Sequence, residues 1–183
     1  MTNPKKARQL LDADAIDELL SLVTPEEMAL AWCRYATRVV NKELPERHEW
    51  EDDEDGWAAE LYHEDEFWAN EEFVRAFLVT IADTAPDEVL GWVGAGPLED
   101  FITEDADRLA WVESQAARSE RFRQALANVW IAELSPETFH RTERAAGVPL
   151  HRPPGPAGGT YRMVIGKQEI VWPVQNVAQE HET

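Results

Sequence analysis

An acidic segment at residues 43–72 constrains this chain more than any other feature of its sequence. The segment holds fourteen Asp and Glu residues against one basic residue, Arg47, and it carries most of the chain's formal net charge of -19. Five of the carboxylates are consecutive, at 51–55, and like charges this close would repel one another in a regular helix. We therefore expect residues 42–69 to be mostly loop, with a short helix at 56–62.

Outside this segment, apolar residues recur at the three- and four-residue spacing of helices. The pattern predicts a first helix at 7–23. Thr24, Pro25 and Glu27 then form a capping box with proline at the first helical position, so a second helix should begin there and run to about Asn41.

Further caps mark the start of later helices. Asn70 is expected to cap a third helix, and Pro86 to occupy the first turn of a short helix after it. Longer helices are expected at 103–118 and 119–134, followed by a last helix that should end at Gly147.

The C-terminal part of the chain has a different character. Prolines and glycines dominate residues 148–160, which therefore cannot be helical. Residues 161–165 and 168–172 are typical of strands joined by a two-residue turn that starts at Gly166. Because a lone hairpin is marginally stable in water, we expect its aromatic face to dock on the helices or on a partner.

These patterns predict an all-α fold, a helical hairpin bundle or short solenoid of six or seven helices with a C-terminal two-stranded β-hairpin. We expect two regions. A helical domain, 1–147, contains an acidic insert at 43–70. A second region, 148–183, contains the Pro/Gly linker, the hairpin and a flexible tail.

Composition limits the class of protein. Hydrophobic residues make up 44% of the chain and charged residues 29%, and no apolar run approaches the roughly 20 residues needed to cross a bilayer. Acidic residues interrupt the apolar pattern near the N-terminus, which argues against a Sec-type signal peptide. The single cysteine, Cys33, fits a reducing compartment. With 36 acidic and 17 basic residues, direct nucleic-acid binding is disfavoured. We expect a soluble cytoplasmic protein.

No motif of the sequence defines a catalytic or cofactor site. Gly94 and Gly96 form a G-x-G, but acidic residues follow where a phosphate loop needs Lys, Ser or Thr. His63 lies beside Glu64 and Asp65 without the residue spacing of a metal site. We expect no cofactor, no bound metal and no enzymatic activity.

Seven of the eight tryptophans fall into two groups, and the eighth, Trp172, lies in the predicted hairpin. Four lie in helical apolar rows and are expected in the core: Trp32, Trp92, Trp111 and Trp130. Those of the acidic segment, Trp50, Trp57 and Trp68, lie in charged surroundings with little apolar periodicity, which fits contact with a partner or with the docked hairpin nearly as well as a core position. We predict a partner-binding surface formed by Trp50, Glu51, Asp52, Asp53, Glu54, Asp55, Trp57, His63, Asp65 and Trp68.

Two further stretches carry a resemblance to known proteins. Residues 94–100 read G-A-G-P-L-E-D, and residues 122–130 read F-R-x-A-L-x-x-V-W. Together they resemble a small bacterial family of uncharacterised, mainly helical proteins. The resemblance implies a helical scaffold and no particular activity.

The glycine-rich stretch before Pro97 is expected to be a structural turn. Gly94 and Gly96 permit a close backbone approach and a positive φ, and Pro97 restarts a helix. Glu99 lies at the start of that helix, where its carboxylate is expected to cap the helix by accepting backbone N–H bonds.

Carboxylates with aromatic residues among them suit the recognition of a basic surface. The favoured hypothesis is a non-catalytic acidic binding protein that occludes a basic site on a partner protein, as immunity proteins and DNA mimics do. The partner would be a toxin or a nucleic-acid-binding protein. Two alternatives stay open: a small hydrolase that uses His63 and nearby carboxylates, and a helical scaffold or assembly subunit.

Overall fold

Packing separates the chain into two units, residues 1–89 and 90–183. The division that the sequence predicts, after residue 147, follows linker composition and stays a prediction. The computed structural model describes backbone and side chains at 3–44, 53–130 and 134–150, and backbone alone at 160–165 and 168–173.

The first unit contains two long helices that pack against each other, α3 (Pro25–Val40) and α6 (Glu71–Thr84). Helix α7 (Asp87–Val93) leads from this unit into the second. The helices before it are α1 (Pro4–Asp12), α2 (Ile16–Leu22), α3 (Pro25–Val40), α4 (Gly56–Leu61), α5 (Asp65–Ala69) and α6 (Glu71–Thr84).

The prediction of one helix at 7–23 is wrong, because the chain forms α1 and α2 there. Asp14 lies between them with a left-handed backbone, φ 54°. A helix cannot continue through that conformation, and Asp is one of the few residues other than glycine that adopts it readily. Short polar residues between two apolar turns therefore outweigh the helical spacing of the leucines.

The capping box at the start of α3 is confirmed. Thr24 Oγ1 accepts the backbone N–H of Glu27 at 3.2 Å, and the Glu27 carboxylate accepts the backbone N–H of Thr24 at 3.4 Å. The predicted cap of α6 is confirmed too, because Asn70 Oδ1 accepts the backbone N–H of Phe73 at 3.2 Å. Both caps act within one turn of helix and need no tertiary partner.

Aromatic and aliphatic side chains fill the interior of the first unit. Phe67 is fully buried in α5, a short helix that the sequence did not predict. Its ring meets Phe73 and Phe77 of α6 edge-on, with centroid distances of 6.0 and 5.4 Å. Edge-to-face pairs of this kind add to the burial energy of each ring.

In the second unit, α9 (Ala106–Arg118) packs against α10 (Glu120–Leu126) and α11 (Pro136–Ala146). Trp111 of α9 lies between two rings, 5.2 Å from Phe101 and 5.8 Å from Phe122 by centroids. Gly147 ends α11 with a φ of 72°, which confirms the predicted stop. The elements of this unit after α7 are a π-helical turn (Gly94–Leu98), α8 (Glu99–Phe101), α9 (Ala106–Arg118), α10 (Glu120–Leu126) and α11 (Pro136–Ala146).

The predicted fold class, six or seven helices with a C-terminal hairpin, is wrong. Helices are more numerous and shorter than predicted, and α10 ends at Leu126 instead of 134. Throughout 3–44, 53–130 and 134–150 the regular structure is helical and contains no strand. Backbone strands β1 (Thr160–Ile165) and β2 (Gln168–Pro173) pair antiparallel with each other alone, so no hairpin is part of the helical fold that these residues define.

Two predictions for the glycine-rich stretch and its flank are also wrong. Gly147 is the glycine with a positive φ among the described residues, so Gly94 and Gly96 do not form a left-handed turn. The chain instead runs from α7 directly into the π-helical turn. Trp92, which was expected in the core, has 39% of its surface exposed because it lies on the outer face of α7.

Candidate functional site

Two arginines of α3, Arg34 and Arg38, bind Asp53 and Asp55 in the middle of the acidic segment. Arg34 Nε donates to Asp55 Oδ2 at 3.0 Å. Arg38 donates from Nε to Asp53 Oδ2 and from Nη2 to Asp55 Oδ2, both at 2.9 Å. Asp53 also accepts the backbone N–H of Asp55 at 2.8 Å. Arginines four residues apart on one helix therefore anchor the chain where α4 begins.

This ion-pair network is largely buried on its acidic side. The side chains of Asp55 and Asp53 are 2% and 7% exposed. Burial opposes ionisation of Asp55, but hydrogen bonds and positive charge from Arg34 and Arg38 outweigh it, and the pKa of Asp55 lies below its usual range. The hydrogen bond with Asp53 raises the pKa of Arg38. Asp55 is therefore charged, and both acids already have arginine partners within the protein.

The predicted aromatic contacts divide between core and surface. Trp57 is 3% exposed and belongs to the core of the first unit, which gives it a structural role. Trp68 is half-buried, and its Nε1 donates to the carbonyl oxygen of Tyr62 at 2.9 Å. His63 is exposed, with its ring edge-on to Tyr62 at 4.8 Å between centroids. Trp68 and His63 thus flank one tyrosine.

The acidic residues predicted to bind a partner divide in the same way. Glu54 and Asp65 are exposed, whereas Asp53 and Asp55 face α3. Trp50, Glu51 and Asp52 lie outside the described residues. Of the seven predicted residues that the structure describes, Asp53, Asp55 and Trp57 are covered, whereas Glu54, His63 and Asp65 are exposed and Trp68 is half-buried. Their predicted role in partner binding stays a prediction.

An open groove of about 540 Å³ lies between α2 and the α5–α6 corner. Most of its lining residues are polar, and three are acidic: Asp17 of α2, Glu66 of α5 and Glu71 of α6. Asp17 and Glu66 are exposed, and Glu71 is paired with Arg75 one turn along α6. We call this groove the acidic groove. The remaining lining residues are Leu20, Ser21, Ala69 and Asn70.

Charge is distributed unevenly over the two units. Residues 1–89 contain 23 acidic and 8 basic residues, a formal charge of -15, whereas residues 90–183 contain 13 and 9, a formal charge of -4. The acidic groove lies in the first unit, so its field adds to a strongly negative surrounding. Sequence reasoning missed the groove because two helices separate Asp17 from Glu66, and three separate it from Glu71.

The predicted structural turn has a different geometry from the one expected. A Cβ on Gly94 would lie 2.1 Å from the carbonyl oxygen of Ala125, so the close backbone approach is confirmed. Glu99 does not cap its own short helix. Its carboxylate instead accepts the backbone N–H of Trp130 at 2.8 Å, across to the end of α10.

Two features bear on other classes of site. Among the residues that the structure describes, no group of three His, Cys, Asp or Glu side chains is arranged to hold a metal ion. None of the helices in the described ranges combines the length and the hydropathy that crossing a bilayer would need.

The chain belongs to a family of unknown function (DUF6869), whose model matches residues 45–148. The match begins in the acidic segment, ends just beyond α11 and includes both stretches that carry the resemblance, 94–100 and 122–130. The predicted membership of an uncharacterised family is confirmed. No curated protein and no solved structure matches the chain significantly.

Proposed function

We propose that this member of a family of unknown function is a non-catalytic acidic binding protein that occludes a basic site on a partner protein. The acidic groove is the observation that supports this function best. Asp17 of α2 and Glu66 of α5 are exposed acidic residues that line the same groove, and its volume of about 540 Å³ can receive lysine or arginine side chains. Such a groove attracts cations because its walls and its surroundings carry the same sign of charge.

The ion-pair network supports the same function in a different way. Because Arg34 and Arg38 bind Asp53 and Asp55, the middle of the acidic segment is attached to α3. Exposed Glu54 lies between the two bound residues, and exposed Asp65 lies at the start of α5. Binding a partner therefore costs less conformational entropy than it would for a free acidic loop.

The partner that fits this surface is a toxin or a nucleic-acid-binding protein with a basic site. Carboxylates can occupy the positions that phosphates take on a DNA- or RNA-binding surface, because both are anionic acceptors of Lys and Arg hydrogen bonds. The chain's one cysteine, Cys33, is buried, which fits action in the bacterial cytoplasm. Inhibition by occlusion requires no chemistry from the acidic protein itself.

The decisive experiment compares two charge-matched variants. Asp17→Asn with Glu66→Gln removes two charges from the acidic groove, and Asp107→Asn with Glu137→Gln removes two exposed charges from the second unit. Each protein is used to capture partners from the native host, and the captured partner is then purified for binding kinetics. We expect the groove variant to slow association about tenfold and to flatten its salt dependence.

The matched control should bind as the wild type does. Double-stranded DNA or RNA added in excess should compete for the same partner if its basic site is a nucleic-acid site. A partner that binds all three proteins with the same rate and salt response would refute the role of the acidic groove.

A further inference from the structure

The exposed side of α5 carries an aromatic ring next to acidic residues. Phe67 faces the core and Trp68 is half-buried. The exposed residues of the helix are Asp65, Glu66 and Ala69. Because residues three and four apart lie on the same side of a helix, Asp65 is next to both Trp68 and Ala69. Ala69 and Glu66 line the acidic groove, so Asp65 lies between Trp68 and that groove.

The ring of Trp68 is held in place by residues of its own neighbourhood. Its Nε1 donates to the carbonyl oxygen of Tyr62 at 2.9 Å. The ring packs in edge-to-face geometry against Tyr62 and Phe67, with centroid distances of 5.4 and 5.1 Å. A tryptophan fixed in this way loses little conformational freedom when a partner covers its exposed part. That property is typical of the aromatic anchors of protein interfaces.

The acidic residues of α5 carry charge that no basic residue offsets. Glu60 and Glu71, on the neighbouring helices, are paired with Arg8 and Arg75. Asp65 makes no ion pair with any residue that the structure describes, and neither does Glu66. This side of α5 therefore combines a fixed aromatic ring with carboxylates whose charge is complementary to a basic partner.

Arginine is the side chain that fits a fixed indole ring beside a carboxylate. Its planar guanidinium stacks on an aromatic ring and can also donate two parallel hydrogen bonds to a carboxylate. The ammonium group of lysine is a compact and strongly hydrated charge, so it gains less from the ring. An arginine can thus contact Trp68 and Asp65 at once.

We propose that this side of α5 binds an arginine side chain of the partner, with its guanidinium stacked on Trp68 and paired with Asp65. The inference rests on the proposed function, since it requires a basic partner at the acidic groove, and it adds which side chain is recognised. Because Asp65 lies between Trp68 and the groove, the basic segment of the partner crosses α5 and places a second cation near Glu66.

The test uses two synthetic peptides of equal charge, one of alternating arginine and glycine and one with lysine in place of each arginine. Each is titrated at low salt into the full chain. NMR follows the backbone amides of Asp17 and Glu66 and the indole N–H of Trp68. We expect the arginine peptide to bind about fivefold more tightly and to shift the Trp68 signal more than the lysine peptide does.

Two variants of α5 and one matched control accompany the wild type. Trp68→Leu keeps an apolar side chain but removes the ring, and it should abolish the preference for arginine. Asp65→Asn leaves the ring and its packing in place, and it should weaken binding of the arginine peptide about threefold. Trp92→Leu changes an exposed tryptophan of α7 that does not line the groove, and it should leave the preference unchanged.

The outcomes separate this inference from the proposed function. Equal affinity of the two peptides, with shifts at Asp17 and Glu66 but none at Trp68, would overturn the arginine contact and leave the acidic groove as a cation site. A preference for arginine that survives in both α5 variants would overturn it as well. Shifts at Trp68 with none at Asp17 or Glu66 would support the arginine contact and contradict the acidic groove. Absence of binding by either peptide would overturn both.

Discussion

At the scale of single residues, Asp55 is the acidic residue whose substitution should lower the free energy of unfolding most. Its carboxylate accepts hydrogen bonds from Arg34 and Arg38 and is almost fully covered. Asp55→Ala should lower the free energy of unfolding by about 3 kcal/mol, because Arg38 loses a buried counter-ion. Urea denaturation at pH 7 measures the change.

Glu54→Ala is the control for Asp55, since Glu54 is the exposed neighbour in the same run. It should change stability by less than about 0.5 kcal/mol. The depressed pKa of Asp55 sets the pH window: its stabilisation is present above the unfolded pKa of about 3.9 and is lost as pH falls through the folded pKa. Equal effects of the two substitutions would contradict this account.

Glu99 has the opposite sign of pH dependence. A carboxyl whose folded pKa is raised stabilises the protonated folded state, so stability falls as pH rises from the unfolded pKa toward about 7. Glu99→Gln should therefore raise the free energy of unfolding at pH 8 by about 1 kcal/mol, a figure reduced for the solvent that reaches this half-buried group.

The gain from Glu99→Gln should disappear at pH 5, where the wild-type carboxyl is protonated in the folded state. Thermal or chemical denaturation at both values of pH measures the difference. A variant that is less stable than the wild type at pH 8 would mean that the Trp130 bond needs a charged acceptor.

At the scale of elements, the π-helical turn depends on one glycine and not on the other. A Cβ at Gly94 would meet the Ala125 carbonyl oxygen at 2.1 Å and Asn128 Cβ at 2.8 Å, whereas no atom lies within 4 Å of a Cβ at Gly96. Gly94→Ala should lower the free energy of unfolding by about 2 kcal/mol, because α10 must move away.

Gly96→Ala is the matched control and should be neutral or stabilising by about 0.5 kcal/mol, since alanine favours helical backbone more than glycine does. Denaturation curves for the two variants measure the contrast. Similar losses would show that the turn requires flexible backbone at both positions, and similar stability would show that α10 yields without cost.

Helix ends were predictable where their chemistry is local. The Thr24 capping box, the Asn70 cap and the Gly147 stop each involve residues within one turn, so sequence spacing is sufficient to find them. The break at Asp14 depends on a left-handed backbone, and the exposed face of Trp92 depends on how neighbouring helices pack. Apolar periodicity carries no information about either, and it therefore failed at both positions.

At the scale of the whole molecule, the charge count indicated a negative surface but not its location. Residues 51–55 attract notice because they are consecutive, yet Asp53 and Asp55 face Arg34 and Arg38 of α3, fifteen to twenty-one residues away. Two arginines with i, i+4 spacing on an amphipathic helix were the available signal of a buried acidic partner. The groove acids of α2, α5 and α6 gave no such signal, because only the fold brings them together.

Two carboxylate–amide contacts of the second unit, from Trp130 N–H to Glu99 and from Ser135 N–H to Glu104, also limit how the length of the chain can change. Glu99 and Glu104 are five residues apart, and so are Trp130 and Ser135, whose backbone N–H groups donate to them. An added residue within either interval would put the two contacts out of step, so that one could form only at the expense of the other. Extra residues between α9 and α10 would shift both amides equally and preserve the match. That connection is the single residue Ser119, whose hydroxyl accepts the backbone N–H of Phe122 at the start of α10, so an insertion there would instead disturb a helix cap.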